Sequence, residues 1–185
     1  MSALRVPVSA MLVALAAGPA CAEAPAAALN KTITISFTAS GMMSGPDGPS
    51  RPFNTAVARV IYVSGQGRLF MRHTATSGGG DMASGKGTRP SRQGEFAPGD
   101  SSPRGGSFSF QGNRLVGVIS YSGGARQIIA TFDGGFSSCT ASVIEGNAGS
   151  GSFKRKGPNG VVHEITNATT SGVSCSIQSG NAFAQ

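Results

Sequence analysis

The chain has 185 residues, of which 28 are Gly and 10 are Pro, and it contains no Trp. Only 12% of the residues are charged, about half the usual share, which argues against a coiled coil or another long charged helix. The length fits one domain, and the net charge of +7 favours contact with anionic partners.

The first 22 residues have the pattern of a secretory signal peptide. Arg5 gives a positive start, residues 10–17 form a short apolar run, and residues 20–22 (Ala-Cys-Ala) form a small-residue cleavage site. The apolar run is much shorter than the roughly 20 residues that cross a bilayer. We therefore predict a periplasmic or secreted chain that begins at Glu23, with a flexible leader over residues 23–29 and no transmembrane segment.

From residue 30 to the end, short runs of alternating apolar and polar residues are separated by Gly and Ser, which is typical of an all-β domain. In residues 31–39, Ile33, Ile35 and Phe37 alternate with Thr and Ser, as expected for a strand with one buried face. Most connections are too short for parallel crossovers, so neighbouring strands should be antiparallel. About nine strands are predicted, at residues 31–39, 56–64, 68–74, 107–110, 115–121, 126–132, 138–145, 161–166 and 172–178.

A single all-β domain is thus expected over residues 30–185. It is a mostly antiparallel sandwich or a small barrel, and the alternation does not distinguish the two because it is the same in both. Residues 75–106 contain almost no large apolar side chain besides Met82 and Phe96. Such a segment buries too little to offset its ordering entropy, so a long mobile, disordered loop is predicted there.

Two cysteines remain after the predicted signal peptide, and they can form one pair. Cys139 and Cys175 both lie in alternating runs, and an oxidising compartment favours a disulfide between them. Cys21 belongs to the predicted signal peptide, and its acylation in a lipoprotein is the less favoured alternative because Gly18 stands where such proteins usually carry Leu. The predicted disulfide between Cys139 and Cys175 is structural.

Several short runs are similar to those of a known group of proteins. They are VIYVS at 60–64, GRLF at 67–70, GGARQI at 123–128, SCTA at 138–141 and SCSI at 174–177. With these runs the chain resembles a group of small, uncharacterised secreted alphaproteobacterial proteins that have two cysteines and no assigned activity. The resemblance implies export and a disulfide, and it implies no catalytic or binding residue.

Groups that could carry catalysis are few. His73 and His163 each alternate with apolar residues, so each is best interpreted as a half-buried strand histidine. A metal site would need both to converge with a carboxylate such as Glu164 or Asp133, and the spacing gives no sign of it. We therefore predict no catalytic residue, no metal and no cofactor, and an enzyme is the less favoured class.

The basic residues are scattered except for Lys154, Arg155 and Lys156. This cluster is a candidate contact for a polyanion. An exported protein meets little nucleic acid, so an anionic envelope component or another protein is the expected partner.

The leading hypothesis is an exported, non-enzymatic binding or envelope-associated module. One alternative is a secreted hydrolase or metal-dependent enzyme that uses His73 or His163. Another is a carrier of a small apolar ligand, whose cavity would be lined by Ile33, Phe37, Ile119 and Ile128.

Overall fold

The structure is a computed structural model, and it describes residues 23–46, 48–77, 87–88, 92–103, 105–156 and 160–184. The predicted signal peptide, residues 1–22, lies outside the described residues. Two short 3-10 helices, Ala26–Ala28 and Asn147–Gly149, accompany the strands. The strands are β1 Lys31–Ser44, β2 Arg51–Val63, β3 Leu69–Ser77, β4 Gly87–Thr88, β5 Arg92–Phe96, β6 Ser107–Gln111, β7 Arg114–Tyr121, β8 Gly124–Phe132, β9 Cys139–Glu145, β10 Phe153–Lys156 and β11 Val162–Ser179.

The prediction of an all-β, antiparallel fold with one disulfide is confirmed. A large sheet has the strand order β10-β11-β1-β2-β3-β4, with β5 also paired to β3, and it curls into a half-barrel. A small sheet, β6-β7-β8-β9, packs its inner face against the inner face of the large sheet. The architecture thus lies between the two alternatives that the sequence left open.

The two strands predicted at residues 161–166 and 172–178 are one continuous strand, β11. Its pairing with β1 shifts register twice, and the left-handed residues Asn167 (φ 52°) and Gly172 (φ 59°) lie at the shifts. These are β-bulges, which bend a strand and increase its twist without ending it. The sequence signals that resemble a turn therefore mark the places where the long strand curls.

The disulfide joins the two sheets. Cys139 begins β9 in the small sheet and Cys175 lies on β11 in the large sheet, with Cα atoms 5.6 Å apart. In the chain-entropy model, a cross-link that spans 36 residues stabilises the fold by about 3 to 4 kcal/mol. Thr170 supports the same contact by donating a hydrogen bond from its hydroxyl to the carbonyl oxygen of Val143, at 3.2 Å.

The segment expected to be a mobile loop, residues 75–106, contains paired strands where it is described. Residues 75–77 end β3, and both β4 and β5 pair with β3. Phe96 is buried against Phe108 of the small sheet, and this apolar anchor is the physical reason that β5 packs. Residues 78–86, 89–91 and 104 lie outside the described ranges.

Residues 23–29, expected to be a flexible leader, include the first 3-10 helix. Ala28 on this helix is fully buried in the core, and its N–H donates to the carbonyl oxygen of Pro25 at 2.8 Å. No helix in the described part of the chain has the length and apolar character needed to cross a membrane.

Candidate functional site

The inner face of the large sheet changes character along its strands. Partners in the ladders of β1, β2 and β3 form rows of side chains on the same face, because directly paired residues point the same way. The first two rows are closely packed and, apart from Lys31, apolar. From the third row onward the rows also contain polar or small side chains. In order, the rows are Lys31–Val63–Leu69, Ile33–Ile61–Met71, Ile35–Arg59–His73, Phe37–Val57–Ala75 and Ala39–Thr55–Ser77.

The small sheet changes in the same direction. Its rows, in order, are Phe110–Leu115–Ala130–Ala141, Phe108–Gly117–Ile128–Val143, Ile119–Arg126–Glu145 and Tyr121–Gly124. The apolar rows of both sheets meet and fill one end of the intersheet space, which we call the packed end. Beyond the rows that contain Arg59 and Arg126, the space is open, and we call it the cleft.

Each sheet contributes one arginine at this boundary. The Arg59 guanidinium of the large sheet lies 5.4 Å from the ring centroid of Phe108 in the small sheet. The Arg126 guanidinium of the small sheet lies 5.3 Å from the ring centroid of Phe37 in the large sheet. Each arginine thus packs on an aromatic ring of the opposite sheet, so the two sheets fix both cations at the floor of the cleft.

The two arginines have different surroundings. Arg59 is only 1% exposed and donates from Nη1 to the sulfur of Met71 at 3.8 Å. Arg126 donates from Nε to Oε1 of Glu145 at 2.7 Å, and Glu145 is itself buried. Glu145 pairs with Arg126 from the side of the cleft, and none of the described residues that line the cleft is acidic.

The cleft has a volume of about 660 Å³. Its walls are small or apolar side chains, and its cations lie at the floor and the rim. The described lining residues are Ala39, Phe53, Thr55, Val57, Arg59, His73, Ala75, Ile119, Ser120, Tyr121, Ser122, Arg126, Lys154, Arg155, Lys156 and Val162.

The predicted polyanion contact, Lys154, Arg155 and Lys156, forms most of β10 and lies at the rim of the cleft. Two contacts hold β10 there. The N–H of Lys154 donates to the carbonyl oxygen of Ser122 at 2.7 Å, and the rings of Tyr121 and Phe153 stack with centroids 4.6 Å apart. The cluster that the sequence singled out is therefore part of the same cavity as Arg59 and Arg126.

The two histidines are in different places. His73 is the cross-strand partner of Arg59 and lines the cleft. His163 lies on β11 opposite Arg155, is 8% exposed, and has no hydrogen-bond partner for either ring nitrogen among the described residues. Within the described ranges, His, Cys, Asp and Glu form no group of three or more that could hold a metal ion.

The other residues of the sequence hypotheses are separate from the cleft or only partly in it. Of the four positions proposed for an apolar carrier cavity, Ile119 lines the cleft, whereas Ile33, Phe37 and Ile128 pack in the core. Asp133 lies in the exposed turn after β8. The hydroxyl and the backbone N–H of Ser137 both donate hydrogen bonds to this carboxylate. Together they lower the pKa of Asp133 from the ordinary 3.8 to about 2, and the hydroxyl has the larger effect.

Sequence reasoning did not single out Arg59 or Arg126, although a signal was present. Arg59 occupies an inward position in the alternating run Val57, Arg59, Ile61, and Arg126 begins an equivalent run in β8. A charged residue in a buried register is uncommon and costly unless it is paired or functional. That exception to the alternation could have indicated both residues.

Comparisons of this chain with protein-family models, with curated proteins and with solved structures found no match in any of the three.

Proposed function

We propose that this chain is an exported, non-catalytic binding protein that holds a small ligand in the cleft between its two sheets. The cleft itself carries the proposal. Its volume of about 660 Å³ is within the range of roughly 300 to 1,000 Å³ that is typical of small-molecule sites. Apolar walls with a few polar groups at defined places are also typical of such sites.

The rigidity of the lining supports binding. The residues of the walls and floor lie on β1, β2, β3, β7 and β8, and each of these strands is paired inside a sheet. A site formed by paired strands is preorganised, so little entropy is lost when a ligand enters. The arginines at the floor are fixed by rings of the opposite sheet, which gives the ligand a defined set of contacts.

Export is the second part of the proposal. Its support is the signal-peptide pattern of residues 1–22, together with a disulfide, a bond that persists in oxidising compartments such as the periplasm. Without Arg5 the exported chain has 14 basic and 8 acidic residues, and its net charge of +6 favours residence near anionic envelope components.

Native mass spectrometry of the protein exported with its own signal peptide tests both export and ligand binding. The denatured mass should correspond to a chain that begins at Glu23 and has lost two hydrogens to the disulfide. The native mass should exceed it by the mass of a ligand that dissociates on denaturation. A denatured mass that still includes residues 1–22 contradicts export.

A matched pair of variants tests whether the ligand occupies the cleft. Ala75→Leu places a larger side chain on the cleft wall, whereas Ala58→Leu makes the same change on the outer face of the same sheet, on β2 next to Val57, the strand partner of Ala75. We expect Ala75→Leu to lose the additional mass and Ala58→Leu to retain it. A bare native mass for the unmodified protein, or equal retention by both variants, contradicts the proposed function.

The hydrolase alternative has its own readout. His73 lines the cleft, so a catalytic role would require that His73→Gln removes turnover of a bound ester or amide while the native mass of the complex is kept. Under the binding proposal, the exported protein releases its ligand chemically unchanged.

A further inference from the structure

We propose that the ligand of this cleft is an organic anion, with an acid group held at the floor by Arg59 and Arg126 and an apolar body that lies along the walls. This inference rests on the proposed function and adds the chemical class of the ligand. It is argued from the position of the two arginines, the charge of the lining and the character of the walls.

The floor has the geometry of an acid-binding site. A guanidinium that stacks on an aromatic ring presents its N–H donors at its edge, in the plane of the group. Arg59 and Arg126 lie over the rings of Phe108 and Phe37, with the guanidinium carbons 5.4 and 5.3 Å from the ring centroids. The ion pair with Glu145 engages the Nε of Arg126, and a guanidinium carries five N–H donors in all, so donors remain for a second acceptor. Guanidinium groups match carboxylate and phosphate oxygens in pairs.

The charge of the cleft selects the sign of the ligand. Five of the described lining residues carry a positive charge and none carries a negative charge; they are Arg59, Arg126, Lys154, Arg155 and Lys156. An anion that enters the cleft lies close to several of these cations at once. Low-dielectric walls strengthen the same attraction, so an anion is favoured over a neutral ligand and a cation is repelled.

The walls select an apolar body. Between the arginines and the rim, the cleft is bounded by Val57, Ala75 and Ile119, with Phe53 and Tyr121 farther out. These side chains carry no charge. The free energy falls when the apolar surface of a ligand packs against them and leaves water. A small inorganic anion would leave most of this volume without a contact.

The rim has a separate role in the proposal. Lys154 and Lys156 are exposed on β10 at the entrance of the cleft. Exposed cations at an entrance raise the association rate of an anion, and salt screens their effect. The predicted polyanion contact is thus reassigned as the part of the site that attracts the acid group.

Calorimetric titration of the full exported chain with three probes of one chain length tests the sign of charge. The probes are decanoate, decan-1-ol and decyltrimethylammonium, each below its micelle concentration. We expect decanoate to bind at least about tenfold more tightly than decan-1-ol, and no measurable binding of decyltrimethylammonium. Decyl phosphate, as a fourth probe, distinguishes a phosphate from a carboxylate as the acid group.

Substitutions at the floor test the residues. Arg59→Met and the double substitution Arg126→Gln with Glu145→Gln each remove one cation, and the double change also removes the partner acid so that no buried carboxylate is left alone. Each should weaken decanoate binding by about tenfold or more and leave decan-1-ol binding unchanged. Arg114→Met, at an exposed arginine outside the cleft, is the matched control and should change neither.

The failures of the two proposals are distinguishable. If decanoate, decan-1-ol and decyltrimethylammonium bind with equal affinity, the cleft binds ligands but the anion inference is overturned. If no probe binds and the native mass is bare, the proposed function fails and the inference fails with it. If a floor variant does not fold, the preference of the unmodified chain among the three probes still decides the inference.

Discussion

The packed end and the cleft are built from the same strands, yet one is filled and the other is open. At the packed end, the rings of Phe132 and Phe136 stack with centroids 4.6 Å apart, and Phe110 lies 6.3 Å from Phe136. Lys31 closes this end by donating from Nζ to the carbonyl oxygens of Gly135 and Phe136, at 2.9 and 2.7 Å. Strand pairing therefore sets the frame of both regions, whereas side-chain size and charge decide which region is closed.

Small residues open the cleft and charge keeps it from collapsing. Ala39 and Ala75 bring little volume into the space between the sheets. The neighbouring arginines, Arg59 and Arg126, each pack on a ring of the opposite sheet. If the two sheets moved closer together here, these contacts would be lost. The packed end instead gains dispersion contacts on every side.

The largest expected effect contrasts a phenylalanine from each region. Phe132→Ala removes a fully buried ring at the packed end and should lower the free energy of unfolding by about 3 to 5 kcal/mol. Phe53→Ala removes a half-buried ring at the cleft and should cost less than half as much, because that ring already has open space beside it. Urea unfolding of both variants measures the difference. Equal costs would contradict the division into two regions.

An intermediate effect is expected when the same side chain is enlarged in each region. Ala130→Leu adds volume to a close-packed row of the small sheet and should destabilise by about 1 to 3 kcal/mol through overpacking. Ala75→Leu adds it to the cleft wall and should change stability by less than about 1 kcal/mol. Thermal unfolding of the ligand-free proteins compares them. A larger loss for Ala75→Leu would mean that the cleft is closed in solution.

The smallest effect concerns the turn at the packed end and depends on pH. The hydroxyl and N–H of Ser137 lower the folded-state pKa of Asp133 from 3.8 to about 2. The ionised carboxylate therefore makes its full contribution to stability at pH values above the ordinary pKa of 3.8. That contribution is lost as the pH falls through about 2. The difference in urea midpoint between Asp133→Asn and the unmodified protein should therefore be constant above about pH 4 and shrink toward pH 2. Asp100→Asn, another exposed aspartate, controls for a general charge effect.

Much of the architecture could be predicted because it is local. The strand at residues 31–39 follows from the period of two, and the antiparallel pairing of neighbouring strands follows from the short connections between them. The prediction was incomplete where tertiary contacts compete with local signals. Asn167 resembles the end of a strand but forms a bulge, and Phe96 holds β5 in a segment that is otherwise poor in apolar residues.

The candidate site was predicted only in part. Lys154, Arg155 and Lys156 were visible as a cluster because they are adjacent in the chain. Arg59 and Arg126 belong to different sheets, and nothing in the sequence relates one to the other. Register places each at the third row of its sheet, and only the packing of one sheet on the other brings them to one floor.

Strand periodicity and the count of two cysteines after residue 22 are properties of the chain alone, and they were enough to predict the class of fold and the disulfide. The tertiary structure decided that the sheets close at one end and leave a cleft at the other. It also decided that the rim cluster, the buried Arg59 and the half-buried Arg126 share that cleft. The physical reason is that a cavity depends on which side chains face each other across the sheets, and that pairing is set by register and curl together with the disulfide between Cys139 and Cys175.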